Sequence, residues 1–336
     1  MKTKLPSWKR RDEVAEFSLL QTTRLAHVVR VREPLVLISQ IQRSGGTLLS
    51  QLLDAHPEVH AHPAELSIGK PKKWDWPELD LARPETWFAL LFERPVDRYL
   101  RKGFLKERPL LGQLDPDVFP FMFSPRIQES VFERCVAEWR PDTERAVLDC
   151  YFTSYFNAWL DNQNLYSGPK QAVAAFTPRL AMESERLGRY FAAYPDGTFV
   201  CIVRDPRAWY ASARKHRADY EDVEGAMRLW RESAESALSA RELHGDRVVV
   251  VTYEALVGDT EATMRALAER IGISWSPTLL TPTFNGRPTL ANSTEHVDRR
   301  GILPERATAY RDSLDATVVE AIDRAAGDLY ERAGRR

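Results

Sequence analysis

Two segments of this chain bring together cations, hydroxyls and glycine in an order suited to holding anions. The first is Gln42-Arg43-Ser44-Gly45-Gly46-Thr47-Leu48-Leu49, which follows the apolar run Leu35-Val36-Leu37-Ile38-Ser39. A strand in that run aims the loop, the glycines let backbone approach a ligand, and N–H groups at the start of the next helix point at negative charge. Arg43 adds a planar fork of donors that matches phosphate or sulfate oxygens. The second segment, Arg204-Asp205-Pro206-Arg207-Ala208-Trp209-Tyr210-Ala211-Ser212, follows the β-branched run Thr198–Val203. Pro206 suits the first turn of a helix, so Arg204 and Ser212 can converge on one anion. Arg207 and Arg214 are expected to face solvent or pair with acids. A kinase-type phosphate loop reads GxxxxGK[ST], with Lys on the terminal phosphates and the hydroxyl on Mg²⁺. Here the first Gly is absent and no Lys precedes Thr47.

With its continuation Leu53-Asp54-Ala55-His56-Pro57-Glu58-Val59, the first segment resembles the 5′-phosphosulfate loop of sulfotransferases that use 3′-phosphoadenylyl sulfate (PAPS). That family pattern is P-[RK]-S-G-T-T-[LW]-L, often followed by L-D-A-H-P-E-V in bacterial and Golgi-type members. Gln42 stands where the family has Pro, and Gly46 where it has its first Thr; backbone N–H groups can still cradle the phosphate. The Arg204 segment resembles the family's 3′-phosphate motif. Val250-Val251-Thr252-Tyr253-Glu254-Ala255-Leu256-Val257 resembles its strand ending in Y-E-D-L-V, whose Tyr is near the nucleotide. Asn292–Gly301 resembles the loop over adenine and the 3′-phosphate, most recognisably that of the tyrosylprotein branch. The resemblance covers residues 34–66 and 170–315. It implies donor contacts from Arg43, Ser44, Gly45, Gly46, Thr47, Leu48, Arg204, Ser212, Tyr253, Ser293, Thr294 and one of Arg299 or Arg300. Two anion sites suit a donor with phosphates at both ends of its ribose and discriminate against ATP.

Sulfuryl transfer requires stabilised charge on the leaving phosphate, an aligned acceptor and a base for its proton. The resemblance implies Arg43 for the first and Glu65 for the base, because several branches place a Glu shortly after the D-A-H-P-x-V run. His62 and His60 compete, since cytosolic members use His and neutral imidazole is poised near pH 7. The expected product is adenosine 3′,5′-bisphosphate, with no metal. The acceptor is a small molecule, glycan or peptide, and neither its identity nor the oligomeric state is legible. An ATP-dependent small-molecule kinase and a catalytically degenerate nucleotide-binding protein are the rival readings.

The apolar runs at 35–39, 171–176, 198–203 and 247–252 suit parallel strands covered on both faces. Helical patterns follow at 47–55, 183–193, 207–218, 222–244 and 260–271, with amphipathic stretches at 12–29 and after Asp312. This alternation predicts a P-loop-like, three-layer α/β fold with a mainly parallel central sheet flanked by helices. The segment 67–169 is rich in aromatics and lacks a strong strand run. It is expected to be a mostly helical, acceptor-side insertion in a single domain spanning 1–336, with 34–66 and 170–336 as core; most of its aromatics fill a helical core.

The chain has 336 residues and a formal net charge of −1, which calls for neither nucleic acid nor an anionic membrane. The basic N-terminus lacks the apolar core of a signal peptide, and no segment approaches the ~20 apolar residues of a membrane span. Cys135, Cys150 and Cys201 are spaced unlike metal ligands and read as buried free thiols in a reducing compartment. A cytoplasmic protein is expected.

Overall fold

The apolar runs become strands because each can be buried on both faces. The computed structural model describes residues 7–69, 76–93, 123–215, 220, 222–288 and 301–334. They form two compact units, Glu33–Glu78 with Ser167–Arg336 and Met1–Arg32 with Leu79–Tyr166.

The larger unit is built on five parallel strands: β1 (Leu35–Ser39), β2 (Val59–Glu65), β3 (Ala172–Phe176), β4 (Thr198–Val203) and β5 (Val248–Thr252). Their order is β2-β3-β1-β4-β5. Alternate strand residues go to opposite faces. Val36, Ile38, Ala174, Val200 and Ile202 join Leu49, Leu52 and Leu53 of the helix Gly46–Asp54 and Met264 and Leu267 of the helix Thr260–Ile271 in one core cluster. On the other face the Phe199 ring lies 5.8 Å from Tyr190 and 6.3 Å from Phe191, both on the helix Ser184–Ala193. The long helices Val223–His244 and Ala316–Gly334 complete this layer. The fold is therefore the P-loop-like α/β arrangement that the alternating pattern predicts.

One strand is not visible in the sequence pattern. β2 reads Val59-His60-Ala61-His62-Pro63-Ala64-Glu65, with two histidines and a proline. It is an edge strand, and its pairing with β3 shifts between Ala61 and Glu65. A residue without an N–H is tolerated at such an edge irregularity. The short helix Tyr253–Gly258 was also absent from the pattern; Thr252 Oγ1 caps it by accepting from Ala255 N.

In the smaller unit the described helices are Ser7–Ala26, Trp87–Leu91, Pro125–Trp139 and Glu144–Ala158. Ser124 and Thr143 accept from Ile127 N and Ala146 N and so start the two central helices. Tyr151, Phe152, Tyr155 and Phe156 are fully buried, and Tyr155 meets Phe123 at 5.0 Å between ring centres. Asn157 bonds both backbone groups of Val29, taking the part of a strand neighbour for residues that precede β1. Cys135, Cys150 and Cys201 are buried free thiols. Among the described residues no helix is long and apolar enough to cross a membrane.

His60 gives the larger unit a measurable acid sensitivity. Burial, reinforced by the Lys170 ammonium, pushes its imidazole from 6.5 down to about 3. Between those values the unfolded chain binds more protons than the folded one. The His60 contribution to stability is fully present above pH 6.5 and is lost as pH falls toward 3, by up to about 1.4 kcal/mol per pH unit. Urea titrations of the His60→Gln variant are expected to show a shallower acid slope than wild type below pH 6.5; identical slopes would refute the assignment.

Candidate functional site

Parallel strands present all their C-terminal ends at one edge, and Arg43, Arg204 and Tyr253 each follow a strand there. After β1 the chain makes a tight loop in which Arg43 (φ 73°) and Gly45 (φ 108°) are both left-handed. Gly45 has a second reason to lack a side chain: a Cβ there would stand 2.6 Å from Tyr253 Cδ2. The helix begins at Gly46, and its first backbone bond runs from Leu49 N to Gly45 O at 3.1 Å. The N–H groups of Gly46, Thr47 and Leu48 therefore precede the helical ladder. Ser44 is buried, while Thr47 and Leu48 are half-buried.

A left-handed Arg is strained and persists only when its surroundings fix it. Here three groups do so. Arg204 Nη1 donates to Arg43 O at 2.9 Å, Arg43 Nε donates to Ser212 Oγ at 3.2 Å, and Trp209 Nε1 donates to Gln42 O at 2.8 Å. Gln42, which replaces the family's Pro, accepts at its side chain from Arg179 Nε at 3.0 Å. Arg179 also donates to the Tyr220 hydroxyl at 2.9 Å. Sequence reasoning missed Arg179. The available signal was its position three residues beyond β3, at the same sheet edge.

Arg204 directly follows β4 and is buried. Its guanidinium lies 4.3 Å from the centre of the Tyr253 ring, and Nη2 donates to Arg306 O at 2.9 Å. Trp230 Nε1 fixes the Arg204 carbonyl at 2.9 Å. The Arg204 Nε is buried with no hydrogen-bond partner among the described residues. Burial lowers the affinity of Arg204 for its proton, opposed by Tyr253, Glu254 and Asp205. Asp205 is engaged elsewhere: it caps the helix Pro206–Ala213 through Arg207 N and forks onto the Arg207 guanidinium at 2.9 and 2.6 Å. Arg207 is thus acid-paired, and Arg214 donates to Ser313 O. Glu254 accepts from Asp205 N and the Tyr330 hydroxyl; burial pushes its carboxyl up despite these bonds.

The structure therefore brings Arg43, Gly45, Arg204, Ser212 and Tyr253 into one linked cluster, joining the two anion motifs. Glu65 ends β2 at the same edge and is half-buried. Since β3 separates β2 from β1, two strand spacings of about 5 Å lie between their lines. His62 is buried, with Nδ1 at 2.9 Å from Ala64 O, and His60 is buried one pleat earlier. Ser293, Thr294, Arg299 and Arg300 lie outside the described residues. The hairpin just before them is held from the anion loop's own helix. Asp54 accepts from Thr283 Oγ1 and Gly286 N, each at 2.8 Å, and burial pushes its carboxyl up. Among the described residues no group of three or more His, Cys, Asp or Glu could hold a metal ion.

A sequence model described as the sulfotransferase family matches residues 34–277, which contain Arg43, Gly45, Arg204, Ser212 and Tyr253. Protein-tyrosine sulfotransferase 2 of Gallus gallus is 24% identical over 276 residues, 80% of this chain. The chain spans 59% of that relative's length. The sulfotransferase domain of the Synechococcus PCC 7002 olefin synthase superposes with a TM-score of 0.44 at 18% identity, covering 88% of this chain and 95% of that one. A sulfotransferase from Mycobacterium avium gives 0.42 at 15% identity, covering 96% and 82%. With the family match extending from the start of β1 past β5, the chain belongs to the sulfotransferase family.

Proposed function

We propose that the protein moves a sulfuryl group from PAPS to a hydroxyl or amine of an acceptor. The observation that carries this reading is the linked cluster at the sheet edge. A glycine-shaped loop leads into a helix N-terminus, and Arg43, Arg204 and Ser212 are tied to one another beside it. The residues fit such a donor. The bare backbone at Gly45 lets the Tyr253 ring lie against the loop, and Arg204 carries a buried donor that no described residue uses.

The donor supplies an activated sulfuryl group with a phosphate leaving group. Arg43 and the N–H groups from Ser44 to Leu48 would stabilise charge growing on that phosphate. Arg204, Ser212 and the Tyr253 ring would take the second phosphate, helped by Ser293, Thr294 and Arg299 or Arg300. Glu65 is the base that the placement favours over His62: it ends its strand half-buried at the ligand edge, whereas the buried His62 ring is bonded to Ala64. The acceptor is a small molecule, a glycan or a peptide; the tyrosylprotein relative keeps a peptide tyrosine in that set.

A kinase reading lacks support, because no Lys precedes Thr47. A degenerate protein is also disfavoured, since the replacement at Gln42 is bonded into the loop by Arg179. Calorimetric titration is expected to show binding of adenosine 3′,5′-bisphosphate and none of Mg-ATP; tight binding of Mg-ATP alone would overturn the proposal. With PAPS and an acceptor panel, Arg43→Ala is expected to slow turnover by about 10²–10³, as for loss of one preorganised anion donor. Glu65→Gln is expected to cost about 10²–10⁴, the usual worth of a general base, and to remove the acidic limb of the pH–rate profile. If both variants turn over like wild type, the assignment of roles fails.

A further inference from the structure

Gly46 is the first residue of its helix, where a side chain would lean over the anion loop. That space is filled from another direction. A Cβ on Gly46 would stand 2.0 Å from Gln40 Nε2, 2.5 Å from its Cδ and 2.6 Å from Oε1. The Gln40 carboxamide thus occupies the space a residue-46 side chain would enter, and the chain places its polar group at 40. Gln40 follows β1 directly and is only 6% exposed. Its Oε1 is fully buried and finds no hydrogen-bond partner among the described residues. A buried, unpaired amide oxygen costs free energy that an apolar side chain of similar length would avoid. Packing alone would favour Met or Leu there.

We propose, building on the reading that this loop holds the sulfated phosphate of the donor, that Gln40 contacts the ligand. Its carboxamide donates N–H to the anion from the place a residue-46 side chain would occupy. The chemistry suits the task. An anion offers only acceptors, and the amide brings two donors where a hydroxyl brings one. The terminal torsion of Gln is broad and roughly two-fold, so a half-turn presents either end. No bond to Oε1 opposes that turn. Helix-start N–H groups, Arg43 and the Gln40 amide would then surround the anion from three sides.

This assignment separates affinity from stability, which a packing role would not. Gln40→Met keeps the volume and removes both the donor and the unpaired oxygen. Unliganded Gln40→Met is expected to melt at or above the wild-type temperature, yet to bind adenosine 3′,5′-bisphosphate about tenfold more weakly by calorimetry, as for loss of one hydrogen bond to a charged group. Gly46→Thr alone introduces the clash and is expected to lower both melting temperature and affinity. Gln40→Gly combined with Gly46→Thr moves the polar group to the other side of the same space and is expected to recover affinity to within about threefold. Wild-type affinity in Gln40→Met, or parallel losses of stability and affinity in that variant with no recovery in the exchange, would overturn the role of Gln40 while leaving the donor reading intact. Failure of wild type itself to bind the bisphosphate would overturn the donor reading, and this inference with it.

Discussion

The buried Arg204 guanidinium is the point at which the edge of the sheet is tied together. It lies over the Tyr253 ring and donates to the carbonyls of Arg43 and Arg306, so it joins the ends of β1, β4 and β5 to a loop about a hundred residues away in sequence. A charge removed from water must be solvated by the protein. Here the direct partners are carbonyl dipoles and a ring face, and the adjacent Asp205 is committed to Arg207. The positive charge is thus held in place without a carboxylate fork of its own. An anion arriving at this edge, as proposed for the donor, would meet a cation already oriented and already desolvated.

Much of the remaining structure keeps that arrangement from relaxing. The loop after β1 spends two of three consecutive residues in left-handed conformations, one of them an Arg. Two buried indoles hold the carbonyls on either side of the corner. Trp209 holds the carbonyl of Gln42 and Trp230 holds that of Arg204. Behind them Tyr330, on the last helix, reaches Glu254, which in turn accepts from Asp205 N. The corner that aims Arg204 therefore depends on the C-terminal helix, although that helix carries none of the residues assigned to the donor.

What was legible in the sequence was whatever is encoded locally. β1, β4 and β5 stand out because both faces of each strand are covered, which demands uninterrupted apolar runs. Arg43, Arg204 and Ser212 are legible because fixed spacing on strand–turn–helix units places them. β2 was hidden because an edge strand tolerates His60, His62 and Pro63, whose types argue against a strand. Arg179, Trp209, Trp230 and Gln40 were hidden for a different reason. Arg179 meets Gln42 across 137 residues and Trp209 meets it across 167, and no local pattern records such a partner. The two departures from the family motif show the same division. Both were visible as letters; that Gln42 bonds Arg179 and that Gly46 makes room for Gln40 became visible only with the fold.

The register of β1 also has a consequence in time. Leu35 pairs with Val173 on one side, and Val36 with Thr198 on the other. The apolar segment that aims the anion loop thus emerges during synthesis long before either neighbour exists. At about 5–20 residues per second, a ribosome needs on the order of ten seconds to supply the first partner strand. Throughout that interval Leu35–Ser39 is an unpaired hydrophobic edge, the kind of segment that recruits chaperones or aggregates. The central position of β1 in the finished sheet makes it the strand that waits longest for a partner.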